Sequence, residues 1–182
     1  MNNQIVIVLG ASGSGKTTIF HAIEERETAY IPVCYTTRDC RNGEKEGDPY
    51  HFVSKETFEQ LKQSGKIVFG YECHGNHYGI PDTITEAYKN GKNVFLGVSR
   101  KLIPLIKDKY SRVKIVYLDV DYYVLKKRLE ERNREQPDEI KKRLEKSIEL
   151  SAWAREHADY VIKNNGSVEN ALGSIDMLIS YR

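Results

Sequence analysis

Glycines, a lysine and a hydroxyl residue recur at fixed spacing near the amino terminus of this 182-residue chain. Residues 10–17 read GASGSGKT, which matches the pattern G-x-x-x-x-G-K-[ST]. In such a loop the backbone N–H groups point at an anion, and the helix that follows adds the positive end of its dipole. We therefore predict a phosphate cradle in which Lys16 reaches the β- and γ-phosphates and the Thr17 hydroxyl ligates Mg²⁺.

The residues on either side of this loop have the pattern that a phosphate cradle needs. Ile5 to Leu9 form a continuous apolar run, which is typical of a strand buried on both faces of a parallel sheet. After the loop, Ile19, Phe20 and Ile23 recur at helical spacing. Strand, loop and helix therefore stand in the required order.

Apolar runs separated by helical patterns continue along the chain, at residues 31–33, 94–98, 113–120 and 160–162. With the first run they predict an α/β fold: a three-layer P-loop NTPase core built on a mainly parallel five-stranded sheet. We expect one domain over residues 1–182, with its core in 1–33, 81–125 and 144–182, a small β-rich acceptor-binding insertion at 34–80 and a helical lid at 126–143.

Composition narrows the classes of function. A formal net charge of +2 gives no broad basic field, so we expect no nucleic-acid partner. The cysteines Cys34, Cys40 and Cys73 lack the spacing of a disulfide framework or a structural zinc site. The first apolar run is too short for a signal or membrane segment, so we expect a cytoplasmic protein without membrane attachment. Nothing in the sequence indicates an oligomeric state.

The predicted lid begins after the run at 113–120. Asp121 can cap a helix in which Leu125 and Leu129 share one face while Arg128 and Arg132 share another. One face of this helix can pack, and the other is free to hold anions.

A second helix is predicted after Pro137, with Ser167 as the cap of a third and last helix farther on. Arg143 projects from the flank of the second helix, near the loop that joins it to the first. The residues that we expect to face inward in the second helix are Ile140, Leu144 and Ile148.

Residues 34–80 are rich in glycine, aromatic and charged residues, with turn signals between short strands. Ser54 is predicted to cap a short helix in this stretch. Three motifs stand out: TTRDCRNGE at 36–44, GDPYHFVS at 47–54 and GNHYG at 75–79. These motifs, taken with the phosphate cradle and the lid arginines, closely resemble the guanylate kinase family over nearly the whole chain.

The resemblance implies how the site works. In that family the arginines and tyrosines of these motifs hold the phosphate of the acceptor nucleotide, and the matching residues here are Arg38, Arg41, Tyr50 and Tyr78. The lid arginines, Arg132 and Arg143 with Arg128 in support, would close over the triphosphate, so Lys16, Arg38, Arg132 and Arg143 are the expected catalytic residues. The expected ATP-binding residues are Gly10, Ala11, Ser12, Gly13, Ser14, Gly15, Lys16, Thr17, Thr18, Arg128 and Asn164.

The chain departs from the family where guanine would be read. The N1–H and amino group of guanine need carboxylate or carbonyl acceptors, but a family glutamate falls at Phe69 and the family's acidic strand end reads LGVS at 96–99. Family serines fall at Cys34 and Ile80. We expect the acceptor to contact Cys34, Phe69 and Ser99, with Glu72 as a replacement carboxylate, and we expect weakened GMP specificity.

The expected reaction is phosphoryl transfer from ATP to the phosphate of a small acceptor, with ATP and GMP giving ADP and GDP as the leading case. The stretches GVSR at 97–100 and RNRE at 132–135 resemble ribose 1,5-bisphosphate kinases, which makes a sugar phosphate the alternative acceptor. A phospholigand-binding module without catalysis is the alternative of another class, and the intact Lys16 and Thr17 argue against it.

Overall fold

The computed structural model describes residues 3–41, 43–73, 75–132 and 136–180, with side chains up to residue 178 in the last helix. Residue 42 of the first acceptor motif and residues 133–135 of the lid sequence lie outside these ranges. The strands are β1 (Ile5–Gly10), β2 (Ala29–Tyr30), β3 (Cys34–Thr36), β4 (Lys45–Glu46), β5 (Pro49–Phe52), β6 (Ile67–Cys73), β7 (Asn76–Pro81), β8 (Asn93–Leu96), β9 (Val113–Asp119) and β10 (Tyr160–Lys163).

Helices are interspersed among these strands, and a 3₁₀ turn at Arg100–Leu102 precedes the fourth helix. Within the described residues, no helix combines the length and the apolar character needed to cross a membrane. The helices are α1 (Lys16–Glu24), α2 (Lys55–Gln63), α3 (Thr83–Lys89), α4 (Ile103–Lys109), α5 (Tyr122–Glu131), α6 (Pro137–His157) and α7 (Val168–Ser180).

The first sheet has the order β10-β9-β1-β8-β2, and all of its pairings are parallel. β1 lies at its centre and pairs with β9 over its full length, from Ile5 opposite Val113 to Gly10 opposite Leu118. The continuous apolar run of β1 is explained by this position, because both of its faces are buried. The predicted parallel five-stranded core is confirmed, and it places the glycine loop at the carboxyl edge of the central strand.

Two apolar clusters cover the two faces of this sheet. Ile5, Ile7 and Leu9 pack on one side with side chains of α3, α4 and α6. Val6 and Val8 pack on the other side with α1 and α7. The alternation of side chains along β1 therefore produces the three layers.

The second sheet lies in the predicted insertion, in the order β4-β5-β3-β7-β6. Its β6–β7 hairpin is antiparallel, with a bulge between Ile67 and Phe69. The Ser54 hydroxyl accepts a hydrogen bond from the Thr57 N–H at 3.1 Å, so the predicted cap of α2 is confirmed. Phe69 and Ile80 join the first apolar cluster, which anchors this sheet to the core.

The predicted lid at 126–143 falls on the second half of α5 and the first turns of α6. Leu125, Leu129 and Leu144 form a buried cluster between these two helices, as the helical spacing predicted. Asp121 occupies the cap position of α5, but its carboxylate accepts hydrogen bonds from Lys163 and Asn165 and not from the first turn of the helix. The predicted side-chain cap is therefore wrong, because two stronger donors lie beside that carboxylate.

Two further expectations were wrong. The run at 31–33 is not a strand; β2 ends at Tyr30, and Pro32, which lacks an N–H, interrupts the ladder that would follow. Ile148 does not face inward, since 60% of it is exposed. It lies between the part of α6 that packs on α5 and the part that packs on the core, in the wall of a cavity with Tyr122 and Tyr123.

The cluster of Leu125, Leu129 and Leu144 also packs against the glycine loop. A Cβ on Gly13 would lie only 3.4 Å from Leu129 Cδ2, which shows how closely the two approach. Leu129 is fully buried, so we expect Leu129→Ala to lower the free energy of unfolding by about 2–4 kcal/mol through the cavity it leaves. Urea unfolding measures this change. Leu105→Ala is the control, since 53% of that residue is exposed. Equal effects of the two substitutions would contradict the packing described for the lid.

Candidate active site

The glycine loop follows β1 and ends where α1 begins at Lys16. Gly13 and Gly15 have φ angles of 90° and 91°, in the left-handed region that favours glycine. A Cβ on Gly15 would also lie 2.7 Å from Asn164 Nδ2, so the position leaves no room for a side chain. The backbone can therefore curve tightly and present its N–H groups toward an anion at the start of α1.

Asn164 holds the loop in place. Its Nδ2 donates to the Ser14 carbonyl at 2.7 Å, and its own N–H donates to the Asp119 carbonyl at 2.8 Å. Its Oδ1 is buried and has no hydrogen-bond partner among the described residues. Asn164 also lines a depression of about 370 Å³ beside the loop, together with Thr18 and Arg128. This depression is where the rest of a nucleotide whose phosphates lie in the loop could extend.

Lys16 lies over the loop that precedes it. Its Nζ donates hydrogen bonds to the carbonyls of Gly10 at 2.5 Å and Ala11 at 3.0 Å. Burial, followed by the charge of Arg132, lowers the pKa of Lys16 to about 8. A phosphate group placed against Lys16 would oppose both effects, because a nearby negative charge favours the charged ammonium.

A cleft of about 450 Å³ joins the loop to the second sheet. The loop residues Ala11–Thr18 form one wall. The other wall contains the predicted acceptor-phosphate residues, and the lid contributes Arg132. The residues from outside the loop are His21, Arg38, Arg41, Gly43, Glu44, Asp48, Pro49, Tyr50, Tyr78 and Arg132.

Arg38 is fixed in this cleft by Glu44. The guanidinium donates from NH1 to Glu44 Oε2 at 2.6 Å and from NH2 to Oε1 at 2.8 Å, and Arg38 is 8% exposed. Burial opposes the positive charge, but the hydrogen bonds and charge of Glu44 outweigh it, so the pKa of Arg38 is raised. Its guanidinium carbon also lies 5.1 Å from the centre of the Tyr50 ring. The two-pronged pairing orients a buried cation toward the cleft.

The cleft contains two tyrosines. Tyr50 and Tyr78 meet edge to face, with 6.0 Å between ring centres. Burial, with smaller effects of Cys34 and Tyr78, raises the pKa of Tyr50 to about 12. The Tyr50 hydroxyl therefore keeps its proton at neutral pH and can donate it to an anion.

The arginines of the predicted lid lie at different places around the glycine loop. Arg143 NH1 donates to the Ser12 hydroxyl of the loop at 2.9 Å, and Arg132 lines the cleft. Arg128 lines the neighbouring depression and not the cleft. The arrangement places two lid cations at the loop and a third where the remainder of a nucleotide could lie.

The residues predicted to read a base do not line this cleft. Cys34 is half-buried beneath it and donates its thiol to the Pro32 carbonyl, while burial raises the pKa of that thiol to about 12. Phe69 packs in the first apolar cluster with its ring centre 6.4 Å from that of Tyr110. The Ser99 hydroxyl accepts from the Lys101 N–H and begins the 3₁₀ turn.

Glu72 is exposed and lies opposite His77 in the β6–β7 hairpin. The pairing is regular from Phe69 onward, so Glu72 projects from the opposite face of β6 from Phe69. The structure therefore does not support Glu72 as a replacement for the family glutamate.

Sequence reasoning missed two residues of this region. Glu44 was part of a quoted motif, but its role follows from the fold of the 36–44 loop, which brings it back onto Arg38. Tyr71 on β6 stacks on Tyr78, with 5.2 Å between ring centres and 17° between ring planes. The signal for Tyr71 was the register of the hairpin, which places it directly opposite Tyr78.

Thr17 is the residue that best fits a magnesium ion. It is exposed in the first turn of α1, next to Lys16. The carboxylates that line the cleft are engaged elsewhere: Glu44 holds Arg38, and Asp48 lies 3.4 Å from His21 Nε2. Among the described residues, no group of three or more His, Cys, Asp or Glu side chains could hold a metal ion. A hydroxyl with phosphate oxygens and waters is a donor set that suits Mg²⁺.

Triphosphate binding should draw a proton onto Lys16, because its pKa of about 8 must rise beside a phosphate. At about pH 8.5 we expect uptake of more than about half a proton per ATP, and an affinity that falls as the pH rises above 8. Calorimetric titration in two buffers of different ionisation enthalpy measures the uptake. Lys16→Met should abolish it, and unchanged uptake in that variant would contradict the assignment.

Removing the charge of Glu44 should destabilise the fold, because it leaves the buried Arg38 guanidinium without its counter-charge. We expect Glu44→Gln to lower the free energy of unfolding by about 2 kcal/mol at neutral pH. The fold lowers the pKa of Glu44, since the hydrogen bond from Arg38 outweighs burial, so the difference from wild type should shrink as the pH falls below about 4.

Urea unfolding as a function of pH measures this difference. Glu46→Gln is the matched control, because Glu46 pairs with His51 at the exposed surface and its loss should be too small to resolve. A Glu44→Gln protein as stable as the Glu46→Gln protein at every pH would show that Arg38 does not depend on Glu44.

Comparisons with known proteins agree with this geometry. A sequence model described as guanylate kinase matches residues 2–181. The chain is 34% identical over 167 residues to the guanylate kinase of Vibrio parahaemolyticus, covering 88% of this chain and 80% of that protein. It is 31% identical over 171 residues to the ribose 1,5-bisphosphate phosphokinase PhnN of Agrobacterium fabrum, covering 92% and 91%.

A solved structure has the same fold. The crystal structure of guanylate kinase from Anaplasma phagocytophilum superposes with a TM-score of 0.73 at 24% identity, covering 97% of this chain and 84% of that one. The matched region includes the parallel core, the second sheet and the lid helices of the present chain, because almost all of the chain is covered.

Proposed function

The chain belongs to the guanylate kinase family, and we propose that it transfers the γ-phosphoryl group of ATP to a phosphate group of a small acceptor. The observation that carries this proposal is the single cleft with two anion-binding walls. The glycine loop and Lys16 form one wall, and Arg38, Arg41, Tyr50 and Tyr78 belong to the other. Two phosphorylated molecules bound to these walls would face each other.

The chemistry assigned to this cleft is mainly positioning and neutralisation of charge. The acceptor phosphate and the γ-phosphate repel each other, so the attacking oxygen reaches the γ-phosphorus only if cations hold both groups in line. Lys16 holds the donor phosphates, and Arg38 and Arg41 hold the acceptor phosphate with the hydroxyls of Tyr50 and Tyr78.

The predicted lid adds further positive charge around the transferring phosphoryl group. Arg132 and Arg143 are the lid cations nearest the loop, and they are placed to stabilise the negative charge that spreads over the transferring group. The Thr17 hydroxyl would hold Mg²⁺, which would supply positive charge to neutralise part of the charge on the donor phosphates. Arg128 and Asn164 line the depression next to the loop. We propose that they contact the part of the donor nucleotide beyond its phosphates.

The proposed mechanism divides the chain into parts with separate tasks. The core, residues 1–33, 81–125 and 144–182, carries the loop. The insertion at 34–80 carries the acceptor wall, and the lid at 126–143 closes over the donor and excludes water. We place the reaction in the cytoplasm, the compartment that supplies ATP and keeps the free cysteines Cys34, Cys40 and Cys73 reduced.

GMP is the first candidate acceptor, because guanylate kinases are prominent among the similar proteins and the acceptor-phosphate motifs match that family. A phosphorylated sugar is the second candidate. The observation that favours it is that Phe69 and Ser99, which stand where the family has guanine-reading groups, are a core residue and a turn cap in this chain.

Loss of the Lys16 ammonium should abolish transfer. We expect Lys16→Ala to lower the rate of ADP formation from ATP and Mg²⁺, with GMP or ribose 1,5-bisphosphate as acceptor, by about 100-fold or more. A coupled assay of ADP measures the rate. Lys127→Ala is the matched control, because that lysine is exposed on α5 and pairs only with Glu131 four residues on. Comparable rates in the two variants would overturn the catalytic proposal.

A further inference from the structure

The edge strand β6 of the second sheet carries an aromatic side chain that the motifs do not account for. Tyr71 on β6 lies directly opposite Tyr78 on β7, and their rings are nearly parallel, with 5.2 Å between centres and 17° between planes. Tyr50 meets the Tyr78 ring edge to face at 6.0 Å. One face of Tyr78 is therefore covered by Tyr71, and that face cannot also stack on a bound planar group.

The hydroxyl end of Tyr71 lies among the other groups of the acceptor side. Its pKa is raised, first by burial and then by the nearby Tyr50, Cys34, Tyr78 and Cys73. The pairing registers place Tyr71, Tyr78, Cys34 and Tyr50 on the same face of the second sheet. The face that carries the predicted phosphate-binding tyrosines therefore also carries Tyr71.

The boundary of the cleft agrees with this placement. The cleft reaches Tyr50 and Tyr78, whereas Cys34, Phe69 and Tyr71 are not among its lining residues. Phe69, on the same face of β6 as Tyr71, closes the adjoining space by packing into the core. The cleft of about 450 Å³ therefore ends at Tyr50 and Tyr78 and does not extend to these three side chains.

We infer that Tyr71 is a specificity-determining residue that takes one face of Tyr78 away from a planar nucleobase, so that a phosphorylated sugar, the second candidate above, is preferred to GMP as the acceptor. This inference rests on the proposed function. The polar groups around the site agree with a sugar: phenols and a thiol are uncharged and can exchange hydrogen bonds with hydroxyl groups. The carboxylates that line the cleft, Glu44 and Asp48, pair with Arg38 and His21, so they do not serve the N1–H and amino group of guanine. Burying those donors without partners would weaken GMP binding.

The test uses three variants and two acceptors, GMP and ribose 1,5-bisphosphate. Tyr71→Ala uncovers the Tyr78 ring, and Tyr71→Val does so while keeping a residue suited to a strand. Tyr35→Ala is the matched control, because Tyr35 projects from the opposite face of the same sheet and contacts His51, with 5.2 Å between ring centres. Thermal unfolding checks that each variant is folded.

We expect wild type to have a higher kcat/KM for ribose 1,5-bisphosphate than for GMP. Tyr71→Ala and Tyr71→Val should raise kcat/KM for GMP by about tenfold or more, since base stacking on an aromatic ring is of that size, and lower it for the sugar phosphate. Tyr35→Ala should change both acceptors by the same small factor. A fall in both values in the Tyr71 variants, or a wild type that prefers GMP, would overturn the inference.

A binding measurement separates this inference from the proposed function. Calorimetric titration of GMP, with a non-hydrolysable ATP analogue present, needs no turnover. Tighter GMP binding by Tyr71→Ala than by wild type, with no ADP formed by any folded protein on either acceptor, would refute the proposed function and uphold the role of Tyr71. Unchanged GMP binding in both Tyr71 variants would refute that role whatever the turnover.

Discussion

The concentration of positive charge in one small cleft is the constraint on which the rest of the structure depends. The cleft is lined by Lys16 from the loop, Arg38 from the second sheet and Arg132 from the predicted lid. Arg143 contacts the same loop at Ser12. Positive charges gathered in this way repel one another. The protein balances them locally: carbonyls of the loop accept from Lys16, Glu44 pairs with Arg38, and the Ser12 hydroxyl accepts from Arg143. Burial first, and the nearby charge of Arg132 second, lower the pKa of Lys16, so part of the cost of gathering these charges remains.

The fold supplies the rigidity that this arrangement requires. β1 is buried on both faces at the centre of the parallel sheet, so the loop starts from a fixed point. Asn164 ties the loop to the end of β9, and Leu129 packs the lid against Gly13. Phe69 and Ile80 anchor the second sheet in the same core. Each wall of the cleft is thus carried by buried packing that is independent of the charged groups.

Periodicity and motif spacing predicted the parts of the fold that depend on local pattern. The continuous apolar run of β1 predicted a strand buried on both faces. The glycine loop, the Ser54 cap and the buried Leu125 and Leu129 followed from local chemistry. The errors concern side-chain contacts that are determined by residues distant in the sequence. Lys163 takes the Asp121 carboxylate away from its helix, and the Glu44 and Tyr71 contacts depend on a loop path and a hairpin register that composition does not encode.

The central claim is that the two walls of the cleft hold donor and acceptor for direct transfer between phosphates. Following the γ-phosphorus of ATP by ³¹P NMR, with a phosphorylated acceptor present, tests this claim most directly. We expect this phosphorus to appear in a new phosphoanhydride on the acceptor, one for each ADP formed. Release of the γ-phosphoryl group as inorganic phosphate at the same rate with and without acceptor would contradict the claim.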